Sequence, residues 1–572
     1  MTIAGREGRR RRSPVRIVRF GPTRTWFRPG TDATLEIELF VAHAIAARLS
    51  VELVELDRIV GRLERSVRLP AGLSMRRLRI VLPTAARRGY GLRLVVRDRA
   101  GSMLAAADEA VEAIDGWWQS PRHAAITRFA DPARTAAMVR ALRAWHVTIV
   151  QDYDWMYRHY RYVPPARDRL SGDSFVDALG RRVSHAAVRA GIRAGHEVGI
   201  ATLAYGSVYG AEREYVDRHP DERVFDEVGR PLSLGGTFFI NDVRRGHPWR
   251  RRLLAEYARA VRTFAFDGIH MDTYGPPHQA MAADGTPIDF ATEYPTLIAD
   301  GAAAVEAARP GARVLFNCVE GFPLRTVADT PAAAVYLELW PPDIDYADLV
   351  RWIDRARVAG GLRSIVIAAY LSCLRTHGQE PTARAAAVEA VVLLTSVIAA
   401  AGAFHHVLAD DRRVLVEGYY PEARQLHAGE AAELQAAWVF TARYLHLLND
   451  PAAITTPLEG IELVDAGGAS IPISSEPMAG AVWARATRLV DGRRTLNLVD
   501  LRSQPDDRWD ALRSIAAPVA GWRIRWPGAG QLTAASPWSA AGRARSLTVE
   551  SVGVALPSFR RWLLVVDRPD RG

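Results

Sequence analysis

Residues 266–275 read FDGIHMDTYG. Asp267-Gly268 is a turn signal after a helix-like run ending at Phe264 and Phe266, and Ile269 and Met271 then alternate with His270 and Asp272. A period of two over so short a run is a strand, and Tyr274-Gly275-Pro276-Pro277 closes it. The apolar residues take one face, while His270 and Asp272 share the other. A helix feeding a short buried strand that ends in a carboxylate is the repeating unit of a parallel α/β sheet.

The unit recurs across about residues 130–449. Strand-like runs fall at 147–151, 200–205, 314–318, 335–339, 365–370 and 403–408, with helical runs at 131–145, 185–197, 249–264, 295–309 and 383–400. Repeats of this length predict a (β/α)8 TIM-type barrel. An open doubly wound sheet is the rival, but no G-x-G-x-x-G or Walker loop follows any of these strands. Upstream, ATLEIELFV, VELVELD, SMRRLRIVLP and YGLRLVVRDRAG are short alternating strands, as in an immunoglobulin-like β-sandwich. WWQSPRHAAIT, residues 117–127, reads as the segment closing that sandwich. Downstream, GIELVDAG, RRTLNLVDL, GWRIRWPG and RRWLLVVDRP predict a second β domain of Greek-key type. The expected division is 14–115, 116–452 and 453–572.

With 49% hydrophobic and 24% charged residues, the 572-residue chain has the composition of a globular protein. Its formal charge of +10 comes from Arg alone, since the sequence contains no Lys. Arg9–Arg12 reads as a solvated tail. Without an interleaved aromatic and basic stripe or zinc-finger spacing, no nucleic-acid partner is expected. Cys318 and Cys373 are too few for a disulfide framework or a metal cluster. The opening MTIAGREGRRRRSPVRIVRF lacks an apolar h-region, and the apolar run 385–401 contains Glu389 and reads as a buried barrel helix. A cytoplasmic protein without a membrane partner is the expectation.

Parallel barrels place their active sites at the C-terminal ends of the strands. In QDYDWMYRHYR, residues 151–161, alternation puts Asp152 and Asp154 on one face and Tyr153 and Trp155 on the other. Carboxylates among aromatics at a strand end suit a sugar site, the plainer alternative being a rim loop with a capping Asp154. AYGSVYGA puts Tyr205 and Tyr209 either at the mouth or into core packing, and VLFNCVEGF brings Asn317 and Glu320 to a strand end. VYLELWPP places Tyr336, Glu338 and Trp340 on one face, where desolvation raises a glutamate toward the range of a general acid. Alone, Asp272 reads first as a cap or ion-pair member. Paired with Glu338 from another strand, it supplies the two carboxylates that glycoside hydrolysis needs. His405-His406 lacks a third ligand at metal spacing and reads as structural or rim polar, so no metal is expected.

QDYDWMYRH, AYGSVYGA, FDGIHMDTYG, VLFNCVEGF and VYLELW, in this order, resemble glycoside hydrolase family 66, whose members are endo-dextranases and cycloisomaltooligosaccharide glucanotransferases acting on α-1,6-glucan. The resemblance implies a retaining double displacement with Asp272 as nucleophile and Glu338 as acid/base, and no cofactor. It makes Asp152, Asp154, Tyr205, His270, Asn317, Glu320 and Trp340 candidate glucosyl contacts, with an oligo- or polysaccharide as the partner. The transferase members carry an inserted carbohydrate-binding module in the barrel region. No stretch of that size interrupts the rhythm here, so hydrolysis of dextran or isomaltooligosaccharides is expected over cyclisation.

Overall fold

FDGIHMDTYG lies at the centre of the largest sheet. The computed structural model describes residues 13–377, 380–550 and 553–568, and the Arg9–Arg12 run lies outside them. Eight parallel strands follow in chain order: β1 (His123–Ile126), β2 (Ile149–Asp152), β3 (Ala201–Ser207), β4 (Gly268–Asp272), β5 (Arg313–Val319), β6 (Val335–Glu338), β7 (Ile365–Ala368) and β8 (Phe404–His406). Each pairs with the next. Directly after β8, Leu408–Ala409 pairs back onto Ala124–Ala125 of β1, so the pairing returns to its start.

Between the strands lie the helices α1 (Pro132–Ala141), α2 (His185–Val198), α3 (Pro248–Phe264), α4 (Phe290–Ala308), α5 (Tyr346–Gly360), α6 (Pro381–Ala400) and, after β8, α7 (Ala428–Arg443). Local chemistry sets their ends. Asp131 caps α1 through the amide of Arg134, Ser184 caps α2 through that of Ala187, and Gly199 ends α2 with φ +80°. Ile269 and Met271 pack outward with the helices, while Ile149, Leu203, Leu315, Tyr336, Val366 and Phe404 fill the interior of the ring.

Two expectations change. HAAI is a strand of the ring rather than the end of the sandwich, so the strand ending in Gln151-Asp152 is the second. All four of its residues are buried, which removes the polar–apolar alternation that marks a half-exposed strand. Helix α4 begins at Phe290, ahead of Pro295, because Asp289 caps it by accepting from the amide of Ala291. That leaves Pro295 inside the helix rather than at its start.

Residues 15–113 form two antiparallel sheets of three and four strands around a shared core that includes Leu35, Ile37, Leu49, Val51, Leu92 and Leu94. Residues 454–568 form two further sheets around Leu463, Leu496, Leu498, Ile524 and Leu563. Buried ion pairs join these regions to the ring. Arg122, just before β1, meets Glu112 of the first, and Glu389 of α6 meets Arg561 of the last at 2.5 Å. Helix α6 is the one helix among the described residues long and apolar enough to cross a membrane, and 78% of its apolar window is buried in the protein.

Candidate active site

At the C-terminal ends of the strands, the loops after β2, β3, β4 and β8 surround a cleft of about 570 Å³. Four carboxylates line it: Asp154, Asp272, Glu320 and Glu338. Aromatic rings form much of the remaining wall, notably Tyr153, Tyr205, Trp340, Tyr370, Tyr419 and Tyr420.

Asp272 ends β4 and Glu338 ends β6, and β5 between them supplies Asn317. The side-chain amide of Asn317 donates to Asp272 Oδ1 at 2.7 Å and also to Glu338 Oε2. Trp340 Nε1 donates to Glu338 Oε1 at 2.9 Å. Burial pushes Asp272 up to about 7, with the Glu338 charge adding to the rise and hydrogen bonds from Asn317 and Tyr205 opposing it. Burial also raises Glu338, against hydrogen bonds from Asn317, Trp340 and Tyr370. Two buried carboxylates sharing one donor ionise as a pair, and holding one proton between them is the favourable state. Such a pair can attack with one oxygen and deliver a proton with the other.

The flank of the cleft is braced by charge. Arg181 reaches Asp154 at 3.1 Å and Asp177 at 2.6 Å. His159 donates its backbone N–H to Glu212, and its Nδ1 lies 2.9 Å from the same carboxylate. This contact works against burial and raises the imidazole.

Of the nine residues singled out from sequence, Asp154, Tyr205, Asp272, Glu320, Glu338 and Trp340 line the cleft. Asn317 does not. It lies beneath as the shared donor, so its contacts are to the carboxylates rather than to the open space. Asp152 is not brought to the cleft either. It shares the face of Val150 and, across the ladder, of Ala204, both packed toward the helices. Burial there pushes its carboxyl well above the usual range. Alternation misassigned the pair because Asp154 has φ +50°, which breaks the period and turns it to the side of Tyr153. Trp155 likewise packs among Phe264 and Phe266. His270 shares the face of Asp272 but sits one layer below the cleft, edge-on to Tyr336 with centroids 4.8 Å apart. Burial there pushes its imidazole down to about 3.

Tyr153, Tyr370, Tyr419 and Tyr420 were not anticipated as cleft residues. The signal for the last two is VEGYYPE, residues 416–422, in the stretch between the last strand of the ring and α7. His405 and His406 are fully buried rather than on the rim, with His405 Nδ1 2.9 Å from Thr395 Oγ1 and His406 Nδ1 2.7 Å from the Tyr336 hydroxyl. Among the described residues, no group of three or more His, Cys, Asp or Glu side chains is arranged to hold a metal ion.

A cycloisomaltooligosaccharide glucanotransferase of Niallia circulans is 25% identical over 364 residues, covering 60% of this chain and 36% of that protein. A second enzyme of the same name and organism is 25% identical over 287 residues, covering 47% and 30%. The matches therefore span about a third of those relatives' length. The crystal structure of a Paenibacillus sp. cycloisomaltooligosaccharide glucanotransferase complexed with cycloisomaltoheptaose superposes with a TM-score of 0.84 at 17% identity, covering 96% of this chain and 99% of that one. At that identity the likeness speaks for the fold. The family model for glycosyl hydrolase family 66 matches residues 23–522, and the chain belongs to that family.

Proposed function

We propose that this protein cleaves α-1,6-linked glucan by a retaining double displacement, with Asp272 as nucleophile and Glu338 as acid/base. The ring of strand pairings is read as a (β/α)8 barrel with its cleft at the C-terminal face. The observation that carries the mechanism is the amide of Asn317 between the two carboxylates. Two hydrogen bonds of at most about 3 Å from one nitrogen put the two oxygens no more than about 6 Å apart. That suits retention, for which carboxyl groups stand about 5–5.5 Å apart, and leaves no room for the water that inversion needs between them.

In the first step an Asp272 oxygen attacks the anomeric carbon as the glycosidic bond breaks, and protonated Glu338 gives its proton to the leaving oxygen. In the second, ionised Glu338 takes a proton from an incoming hydroxyl whose oxygen displaces Asp272. Asn317 holds both carboxylates at the reacting centre throughout. The aromatic wall offers ring faces to sugar C–H surfaces, while Asp154 and Glu320 offer acceptors to sugar hydroxyls.

If the incoming hydroxyl belongs to water the outcome is hydrolysis; if it belongs to a second glucan, transglycosylation. The names of the relatives favour the second outcome, and the rings lining the cleft suit a bound sugar acceptor. Incubation with dextran and graded isomaltooligosaccharides, with reducing ends counted and products sized, tests both. Turnover lost in both Asp272→Ala and Glu338→Ala is the expected result. Full activity in either variant would refute the assignment, and longer or cyclic products without new reducing ends would identify a transferase.

A further inference from the structure

The loop between β2 and α2 folds back on itself as a short antiparallel hairpin, Ser174–Val176 against Arg182–Ser184, and its tip reaches the cleft. Leu179 at that tip lines the cleft wall and is 38% exposed. Asp177 organises the tip, its Oδ1 accepting from the amides of Leu179 at 3.0 Å and Arg181 at 2.7 Å. Its other oxygen accepts from Arg181 Nε at 2.8 Å. The same guanidinium reaches Asp154, which lies earlier in this loop, just past β2. Arg181 Nη2 stands 3.1 Å from Asp154 Oδ2 and donates to the Asp154 backbone carbonyl at 3.3 Å. The guanidinium also lies over Tyr419, from the segment after β8, 5.9 Å from the ring centre.

Arg181 therefore grips Asp154 at two points, one on the side chain and one on the main chain. Asp154 is 7% exposed, and its positive φ turns it to the cleft side. Oδ1 takes no part in these contacts, so it is the oxygen left to the cleft that Asp154 lines. A carboxylate this buried favours its neutral form unless a cation stands beside it. Arg181 opposes that effect of burial, while His159 helps it and Asp177 works against it. The charge matters to a sugar, because a hydroxyl donating to an ionised oxygen makes a bond roughly twice as strong as one between neutral groups. A planar fork suits the task, since its separate nitrogens hold Asp177 and Asp154 at once.

We propose that Arg181 is a positioning residue that holds the Asp154 carboxylate in the cleft as a charged acceptor for a sugar hydroxyl, so that the hairpin tip sets substrate affinity. The proposal rests on the reading of Asp154 as a sugar acceptor. Arg181 is not one of the residues lining the cleft, and it acts through Asp154. The reacting carboxylates have their own donor in Asn317. An acceptor that holds a hydroxyl equally in the ground and transition states contributes uniform binding, so weakening it raises KM and leaves kcat little changed.

The test is a double-mutant cycle on kcat and KM for one isomaltooligosaccharide, using the parent, Asp154→Asn, Arg181→Met and the double variant. Asp154→Asn should raise KM by about tenfold or more, the size of a hydrogen bond to a charged group. Arg181→Met should raise KM by about tenfold, with kcat within about threefold of the parent. In the Asp154→Asn background the same change should cost less than about threefold in kcat/KM, since no charge is left to hold. A purely structural arginine would cost the same in both backgrounds. Arg181→Gln, which keeps amide hydrogens for Asp177 but lacks the charge, runs the same cycle if Arg181→Met does not fold. Additive losses, a loss confined to kcat, or an unmoved KM in the folded Arg181 variants would overturn the proposal while Asp154 keeps its role. A parental KM in Asp154→Asn would instead remove the sugar-acceptor reading, and the proposal with it.

Discussion

Asp272 and Glu338, on strands two apart in the ring, share one hydrogen-bond donor, the side-chain amide of Asn317. The geometry makes Asn317 the donor on which both carboxylates depend. Asn317→Ala leaves two buried carboxylates without their common donor, so it should lower kcat/KM by roughly 10²-fold. It should also raise the pair's apparent ionisation further, because the lost hydrogen bond favoured the charged forms. Steady-state kinetics over a pH series on an isomaltooligosaccharide checks both effects.

The Asp272 carboxyl, pushed up to about 7 by burial, has a consequence for stability. Its folded value lies above that of an unfolded aspartate, near 3.9. The contribution is therefore fully favourable below about pH 4 and is lost as pH rises through about 7, where the unfolded chain ionises freely and the folded chain resists. Asp272→Asn should accordingly be more stable than the parent at pH 8, by on the order of a few kcal/mol, and this advantage should vanish below about pH 4. Thermal unfolding at the two pH values measures it.

Glu389 on α6 and Arg561 in the last β region are both buried and pair through two hydrogen bonds, the shorter at 2.5 Å. Glu389→Ala leaves a buried guanidinium with Glu433, 2.7 Å away, as its one remaining carboxylate partner among the described residues. The expected cost is about 3 kcal/mol, the lower end for breaking a buried pair. The double replacement Glu389→Leu with Arg561→Met should recover most of that loss, as chemical denaturation of the three proteins would show.

Gly268 opens the strand that ends at Asp272. A Cβ placed there would lie 1.8 Å from the carbonyl oxygen of Arg313 on the neighbouring strand, a backbone atom with no rotamer to yield. Gly268→Ala should force β4 and β5 apart and cost more activity than stability alone explains, because both carry residues of the carboxylate site. Gly311→Ala, at φ +86° but with nothing within 4 Å, should cost only about 1 kcal/mol and leave kcat unchanged. Comparing kcat and unfolding for the two variants separates strain from obstruction.

Much of the site was legible because periodicity assigns faces. In FDGIHMDTYG and VYLELW the alternation is unbroken, and Asp272 and Glu338 do project to the cleft while Ile269, Met271, Leu337 and Leu339 pack outward. The same rule failed in QDYDW, where the positive φ of Asp154 reverses the faces. Nothing in five side chains announces one backbone dihedral. HAAI was missed as a strand because burial on both sides leaves no contrast to read.

The sequence by itself determined the parallel α/β rhythm, the two β regions around it and the strand ends that bear carboxylates, because these follow from local periodicity and turn chemistry. Only the tertiary structure decided which of those groups meet. Asp272 and Glu338 are far apart in the chain, and ring geometry places Asn317 between them. The same geometry buries Asp152 and His270 out of the cleft. Distances of that kind arise from how strands tilt and pair, which depends on every other element of the ring and has no local signature.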